Sequence, residues 1–166
     1  MISKPVLDKM NAQVTHEMAS AYLYLSMAAY FESVNLPGFA HWMRVQFAEE
    51  QGHAMKFLEY ILDRGEKVCL GPIEQPQADF ASPVEVFEKT LAHEKKVTGL
   101  ILSIYEAARA ENDVASQIFL QWFVSEQVEE EKNASDILDM LKKIGPSVGS
   151  LYQLDHRLGK RGGAED

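Results

Sequence analysis

Four long segments of this chain repeat apolar residues at spacings of three and four, and this pattern constrains the fold more than any other feature. Such spacing places the apolar side chains on one face of an α-helix, and that face has to be buried against other helices. The segments are rich in Ala, Leu, Met, Glu and Gln, which favour helix over sheet. Because a chain of 166 residues has room for one core, we predict an all-α single domain over residues 1–166.

Capping and helix-breaking residues predict where each helix begins and ends. Four long helices are expected over about 3–35, 37–64, 82–111 and 114–143, followed by a short fifth helix over 147–158. The four-helix bundle then occupies residues 1–143. The glycine-rich, charged tail over 159–166 is predicted to be mobile.

The lengths of the connections predict the topology. Short connections make helices one and two antiparallel, and helices three and four likewise. The segment 66–81 has no clear periodicity and contains Gly71, Pro72 and Pro76. A connection of about 17 residues spans about 55 Å when extended, more than the roughly 42 Å of a helix of about 28 residues. We therefore predict one long crossover between helices two and three, which can run parallel.

Each of the four apolar stripes also includes an acidic or metal-ligating residue. These are Glu17 on the first helix, Glu50 and His53 on the second, Glu94 on the third, and Gln127 and Glu130 on the fourth. In an antiparallel-paired bundle these positions lie at similar heights, so the carboxylates face one another in the core. Buried carboxylates repel one another and are poorly solvated, and no Lys or Arg lies beside them on the stripes.

A pair of bound metal ions would supply the missing positive charge. Glu50-x-x-His53 places a carboxylate and an imidazole one helical turn apart on the same face. Mixed oxygen and nitrogen ligands suit iron or manganese, and a shared carboxylate lets two ions lie close together. The alternative is a structural polar network, which would need protonated carboxylates or cationic partners. We favour the metal site.

Composition excludes several other classes of protein. The formal net charge of -9 argues against a nucleic-acid binder, since binding phosphates needs clustered Lys and Arg. Cys69 is the sole cysteine, which excludes an intrachain disulfide and a multi-cysteine zinc or iron–sulfur site. No uncharged apolar stretch of about 18 residues occurs, and the N-terminus lacks the apolar run of a signal peptide. We expect a cytoplasmic protein with no membrane partner.

Three motifs point to one family. They are Thr15-His16-Glu17 followed by Ala21-Tyr22-Leu23-Tyr24-Leu25, then Phe47-Ala48-Glu49-Glu50-Gln51-Gly52-His53-Ala54, and Phe123-Val124-Ser125-Glu126-Gln127-Val128-Glu129-Glu130-Glu131. With them, the sequence from Met1 to about Leu158 closely resembles the bacterial non-haem ferritins, a ferritin-like di-iron carboxylate family. The resemblance implies a ferritin-like bundle with the long crossover and the short fifth helix.

The resemblance also implies a ferroxidase centre that binds two iron ions. Its implied ligands are Glu17, Glu50 and His53 for one ion, and Glu94, Glu130 and the bridging Glu50 for the other, with Gln127 beside them. A third, weaker iron position is implied at Glu49, Glu126 and Glu129, with Glu130 shared. Tyr24 matches a tyrosine next to the centre, an electron donor or hydrogen-bonding neighbour, and Trp122 is a further candidate redox neighbour. Packing is the alternative role for both aromatics, and a partly solvent-facing surface is the alternative for the acidic run from Glu129 to Glu131.

Two departures from related families exclude other cofactors. Bacterioferritins carry a methionine haem ligand before the first histidine and a second Glu-x-x-His, whereas this chain has Gly52 and Gln127-x-x-Glu130, so no haem is expected. Rubrerythrins need a four-cysteine iron site that one cysteine cannot build. The small DNA-protecting ferritin relatives lack the fifth helix that is predicted here.

The remaining histidines are not assigned to the metal site. His16 has no assigned role, and His41, His93 and His156 are expected at the surface or in an interface.

The implied function is iron storage. Fe(II) would be oxidised to Fe(III) by O2 or H2O2 and stored as a ferric mineral inside a hollow homo-oligomeric shell of twenty-four copies. The enzyme alternative is a di-iron oxygenase or peroxidase that acts on an organic substrate and stores no mineral. The non-enzyme alternative is a helical signalling module, but such bundles have apolar cores and no need for inward carboxylates.

Overall fold

The computed structural model describes residues 1–162, which form five α-helices and no strand. The helices are α1 (Lys4–Ser33), α2 (Pro37–Asp63), α3 (Pro83–Ala110), α4 (Val114–Ile144) and α5 (Val148–Leu158). The predicted all-α class is confirmed, and each predicted boundary lies within two residues of the observed one. The predicted mobile tail falls partly on residues 163–166, outside the described residues, and stays a prediction.

Local sequence explains the helix ends. The hydroxyl of Ser82 accepts a hydrogen bond from the Glu85 N–H, and the Glu85 carboxylate accepts one from the Ala81 N–H, so a capping box starts α3. Asn35 and Asn112 take the left-handed conformation, with φ of 59° and 55°, in the turns after α1 and α3. Asparagine tolerates that conformation better than most residues. Each asparagine lets the chain reverse direction within a few residues, so the connections within the α1–α2 and α3–α4 pairs are short.

Contacts between helices fix their directions. The Lys9 ammonium of α1 donates to Ser103 of α3, whereas Met27, further along α1, contacts Thr90, nearer the start of α3. Helices α1 and α3 are thus antiparallel. Since α1 and α2 are also antiparallel across their short turn, α2 and α3 run parallel. This confirms the predicted topology with one long crossover.

The crossover lies along α1. The Cys69 N–H donates to the Asn11 side-chain oxygen at 2.8 Å, and the Gly71 N–H donates to the Thr15 hydroxyl at 2.9 Å. Further on, the Ser26 hydroxyl donates to the Gln77 carbonyl at 2.7 Å. Polar side chains of α1 therefore satisfy backbone groups of a segment that has no regular structure of its own.

The core consists of two apolar clusters with a polar layer between them. One cluster includes Tyr24, Met43, Phe87 and Ile137, and the other includes Val14, Phe57, Val97 and Phe123. On every long helix, the acidic stripe residues lie in sequence between a member of one cluster and a member of the other. The bundle therefore buries its carboxylates at mid-height rather than at an end.

The short helix α5 packs across the beginning of α2. The Asp155 carboxylate accepts a hydrogen bond from the Phe39 N–H at 2.9 Å, which caps a helix whose own N-cap residue, Leu36, provides no side-chain cap. A negative charge at this position also interacts favourably with the helix dipole. Gly38 permits the approach, because a Cβ there would lie 1.7 Å from the Asp155 carbonyl oxygen. The C-terminal part of the described chain is thereby fixed to α2.

No helix among the described residues combines the length and the apolar character that crossing a bilayer requires.

Candidate metal centre

Six polar stripe residues occupy the layer between the apolar clusters. They are Glu17, Glu50, His53, Glu94, Gln127 and Glu130, and none is more than 5% exposed. Every helix of the bundle contributes at least one of them. The helical stripes read from the sequence therefore face the interior, and four carboxylates share one buried layer.

Glu17, Glu50 and His53 form the first group of potential ligands. One ligand atom from each lies within 4.8 Å of the others, and His53 Nδ1 is 3.6 Å from Glu50 Oε2. Glu17 Oε1 accepts a hydrogen bond from the Gln13 amide at 2.9 Å. Oε2 of Glu17 and Oε2 of Glu50 are buried without a hydrogen-bond partner among the described residues. Buried oxygens of this kind fit a cation, which would satisfy both.

His53 also belongs to a second group of potential ligands, with Glu126 and Glu130. Their ligand atoms again lie within 4.8 Å of one another, and His53 Nε2 is 4.0 Å from Glu126 Oε1. The two ring nitrogens of His53 thus face different carboxylates. An imidazole that binds a metal through one nitrogen is commonly oriented by a carboxylate at the other. The family resemblance implies a role for Glu126 at the third position only.

Glu94 is held differently from the other carboxylates. It accepts a hydrogen bond from the Tyr24 hydroxyl and another from the Gln127 amide at 3.2 Å, and it belongs to neither ligand group. Glu130 Oε2 accepts a hydrogen bond from the Gln46 amide at 2.8 Å. The two predicted ligands of the second ion therefore share the buried layer, and each is oriented by an amide donor. Their joint binding of one ion stays a prediction.

Burial and mutual repulsion change the protonation of this layer. Burial raises the pKa of Glu17 well above its ordinary value, and the charge of Glu50 raises it further. Burial, Glu94 and Glu130 raise the pKa of Glu50 well above its ordinary value. Burial and the charge of Glu94 raise the pKa of Glu130 to about 8. Without a cation, the site therefore holds protons at neutral pH, and a metal ion has to displace them.

The three residues predicted for the third iron position do not form one group. Glu126 faces His53, and Glu129 is exposed. Glu49 accepts a hydrogen bond from the Arg161 guanidinium at 2.8 Å. Closure of these side chains around one ion would require Glu49 and Glu129 to reorient, so the third position stays a prediction.

Two aromatic residues lie beside the polar layer, and their roles at the centre stay predictions. Tyr24 is fully buried and donates to Glu94, and burial, followed by the charges of nearby carboxylates, raises its pKa well above the ordinary value. Trp122 is 40% exposed, with its ring centroid 5.4 Å from that of His53. His93 is only partly exposed: its Nε2 lies 2.8 Å from the Ser20 hydroxyl, and burial lowers its pKa to about 4. The expectation that His93 lies at the surface or in an interface stays a prediction.

Several residues that hydrogen-bond to the polar layer have no role predicted from the sequence. Gln13 donates to Glu17, Gln46 donates to Glu130, and Thr98 accepts a hydrogen bond from Gln127 at 3.3 Å. Gln13 could have been found, because it precedes Glu17 by one helical turn on the same face. Nothing in the sequence indicated the contact of Arg161 with Glu49, because the two residues are 112 positions apart in the chain.

Comparison with known proteins matches residues 7–144 to the family model of the ferritin-like domain. The bacterial non-heme ferritin of Bacteroides fragilis strain 638R is 42% identical over 161 residues, covering 97% of this chain and 100% of the relative. That of Staphylococcus epidermidis strain RP62A is 38% identical and covers 97% of each chain. Among solved structures, the open-pore ferritin of the hyperthermophilic archaeon Archaeoglobus fulgidus superposes with a TM-score of 0.97 at 45% identity, covering 98% of this chain and 100% of that one.

Proposed function

The chain belongs to the ferritin-like domain family, and on this basis we propose that it is an iron-storage protein with ferroxidase activity. It oxidises Fe(II) to Fe(III) with O2 or H2O2 and keeps the ferric product as a mineral inside a hollow shell. Iron is thus the substrate and the cargo.

One observation carries the proposal: the unsatisfied oxygens of Glu17 and Glu50 beside His53. Each is buried without a hydrogen-bond partner among the described residues, and together with an imidazole nitrogen they lie within 4.8 Å. Amide donors satisfy other carboxylate oxygens of the same layer. Without a cation these two oxygens are satisfied only if the carboxyl groups of Glu17 and Glu50 share a proton, whereas a ferrous ion uses both as ligands.

The proposed roles follow the positions of the side chains. Glu17, Glu50 and His53 bind one ferrous ion, Glu50 bridges, and Glu94 with Glu130 binds the other. Gln127 and Tyr24 orient Glu94 by their hydrogen bonds, and Tyr24 can also supply an electron. Glu49, Glu126 and Glu129 bind a third, weaker ion and share Glu130.

The reaction balances with two ions at one centre. Two ferrous ions supply two electrons, which with two protons reduce one O2 to H2O2 or one H2O2 to two waters. Anionic oxygen ligands favour the ferric state, so the carboxylate layer promotes the loss of these electrons. Carboxyl groups with raised pKa values release protons on binding the ions, and these protons are then available to the reduced oxygen.

Storage requires an assembly, because one small bundle cannot enclose a mineral. We propose a shell of twenty-four copies, without haem and located in the cytoplasm. Its support is the ferritin family and the full-length similarity to the Archaeoglobus fulgidus ferritin.

An anaerobic Fe(II) titration followed by rapid mixing with O2 tests the centre. Glu17→Ala and Glu130→Ala should each slow oxidation by more than about tenfold, since even residues that only orient metal ligands typically contribute 10- to 100-fold. Glu106→Ala is the control, because this exposed carboxylate of α3 pairs only with Arg109 among the described residues. Unchanged oxidation in the Glu17 and Glu130 variants would refute the site.

Particle mass and iron content together test storage. Hundreds of iron ions in a large shell are expected. About two iron ions per chain in a small oligomer would instead support an oxygenase or peroxidase, and a chain that binds no iron would support an interaction module.

A further inference from the structure

The segment that follows α5 returns to the metal centre through one side chain, that of Arg161. Its Nη1 donates to Gln46 Oε1 at 2.5 Å, and its Nη2 donates to Glu49 Oε2 at 2.8 Å. The guanidinium carbon lies 4.7 Å from the centroid of the Trp42 ring, and the Arg161 carbonyl accepts a hydrogen bond from His41 Nε2 at 2.8 Å. Contacts with four residues of α2 therefore fix Arg161.

The ion pair with Glu49 is more shielded than a typical surface pair. The Arg161 and Glu49 side chains are 22% and 17% exposed, whereas those of the surface pair Lys4 and Asp8 are 83% and 59% exposed. Shielding from water reduces dielectric and ionic screening, so the attraction between the charges is stronger. A charge-assisted hydrogen bond adds to it.

Gln46 anchors the guanidinium to the carboxylate layer. Its Oε1 accepts from Arg161, so its amide NH2 group has to face the other way, where it donates to Glu130 Oε2 at 2.8 Å. Gln46 is fully buried, which restricts its alternatives. The arginine is thus held beside Glu49 by a residue that is itself fixed in the core.

Glu49 lies at the edge of the metal centre. It precedes Glu50 in the chain, and the charges of His53 and Glu126 both act on it. One oxygen that a cation beside Glu126 and Glu129 would need is therefore already bound to an internal cation.

We propose that Arg161 is a positioning residue that holds Glu49 out of the third cation position, so that a ferrous ion and the guanidinium compete for one carboxylate. The inference rests on the proposed function, since it requires Fe(II) to bind at the neighbouring paired positions. The third position is then weak because the protein already provides a cation for its ligand. Filling it releases the C-terminal segment from Glu49.

Anaerobic isothermal titration of the assembled protein with Fe(II) as the only metal tests this competition. Arg161→Gln should increase the affinity for the third ferrous ion about fivefold, because it removes a competing, partly shielded ion pair worth about 1 kcal/mol. The affinities for the two more tightly bound ions should change less than twofold. Lys160→Gln, which removes the same charge from the neighbouring exposed position, should behave as the unchanged protein does.

A double-mutant cycle identifies Glu49 as the partner. In a Glu49→Gln background, Arg161→Gln should have no further effect on Fe(II) binding, because the competing carboxylate is gone. Arg161→Lys keeps the charge and should restore part of the competition. Circular dichroism verifies that each variant is folded, and amide exchange of residues 159–161 should rise when the third ion binds.

Several results would overturn the inference. The affinity for the third ion could be unchanged or weaker in Arg161→Gln, or Lys160→Gln could have an effect of the same size. The effects of Glu49→Gln and Arg161→Gln on Fe(II) binding could also be additive in the double mutant. The failure of the proposed function looks different: the two tighter ions would be absent, or insensitive to Glu17→Ala, whatever residue stands at 161.

Discussion

At the scale of single residues, amide side chains donate hydrogen bonds to the buried carboxylates of the proposed centre. Gln13, Gln46 and Gln127 each donate to a carboxylate oxygen of the polar layer. A hydrogen bond to the charged form lowers a carboxyl pKa, which opposes the increase caused by burial. These amides therefore make deprotonation, and hence metal binding, easier at neutral pH.

Gln13→Leu tests this role at the residue scale. Without its donor, the pKa of Glu17 rises further, and protons compete more strongly with Fe(II). Loss of a hydrogen bond to a charged group should weaken binding about tenfold near neutral pH. The difference should shrink as the pH rises, because Glu17 is then ionised in both proteins.

Anaerobic Fe(II) titrations across the neutral pH range measure the effect. Gln121→Leu is the matched control, since Gln121 is exposed on α4. A weakening that is independent of pH would point to altered packing around Glu17 rather than to its protonation.

At the scale of elements, the position of α5 depends on one close contact with α2. Gly38 leaves space for the Asp155 backbone, and the Asp155 side chain caps α2. Gly159 also approaches the Gly38 backbone, since a Cβ at residue 159 would lie 3.3 Å from Gly38 Cα. The same contact brings the following residues, including Arg161, beside α2.

Gly38→Ala should displace α5. Its added Cβ cannot coexist with the Asp155 carbonyl, and forced repacking of this kind typically destabilises by about 1–3 kcal/mol. Gly52→Ala in the same helix is the matched control, because a Cβ there meets nothing within 4 Å. Replacing an interior helical glycine in open space should stabilise by up to about 1 kcal/mol.

Amide hydrogen exchange over residues 148–158, together with thermal unfolding, separates the two substitutions. Faster exchange in α5 is expected for Gly38→Ala alone. Equal protection of α5 in both variants would show that this contact does not hold the helix.

At the scale of the whole molecule, a layer of carboxylates in the core makes stability depend on pH. The pKa of Glu130 is about 8 in the folded chain, above its ordinary value of 4.5. Between these two values the folded state binds more protons than the unfolded state, so the stability contributed by protonated Glu130 is lost as the pH rises. The raised pKa values of Glu17, Glu50 and Glu94 act in the same direction.

The metal-free protein should therefore become less stable as the pH rises from about 4.5 to about 8, because the four carboxyl groups outweigh His93, whose lowered pKa acts in the opposite direction below about 6.5. Glu130→Gln should reduce this slope, and Glu106→Gln, at an exposed position, should not. Fe(II) should restore stability most strongly at the upper end of the range and should release protons when it binds. Anaerobic thermal unfolding at a series of pH values checks this, and an identical slope in Glu130→Gln would contradict it.

The sequence by itself determined the helices, their order and directions, and which residues face inward. The spacing of apolar residues and the positions of helix-breaking residues are local properties of the sequence. The stripes that include Glu17, Glu50, Glu94 and Glu130 could therefore be predicted one helix at a time. The length of segment 66–81 was enough to predict the crossover, because chain reach is set by covalent geometry.

Only the tertiary structure decided how those stripes meet. It gave His53 two carboxylate neighbours, left one oxygen each of Glu17 and Glu50 without a partner among the described residues, and brought Asp155 to α2 and Arg161 to Glu49. These contacts join residues far apart in the chain, and side-chain packing rather than periodicity selects them. The periodicity of a helix predicts which of its residues face inward, but the charged groups that those residues meet belong to other helices.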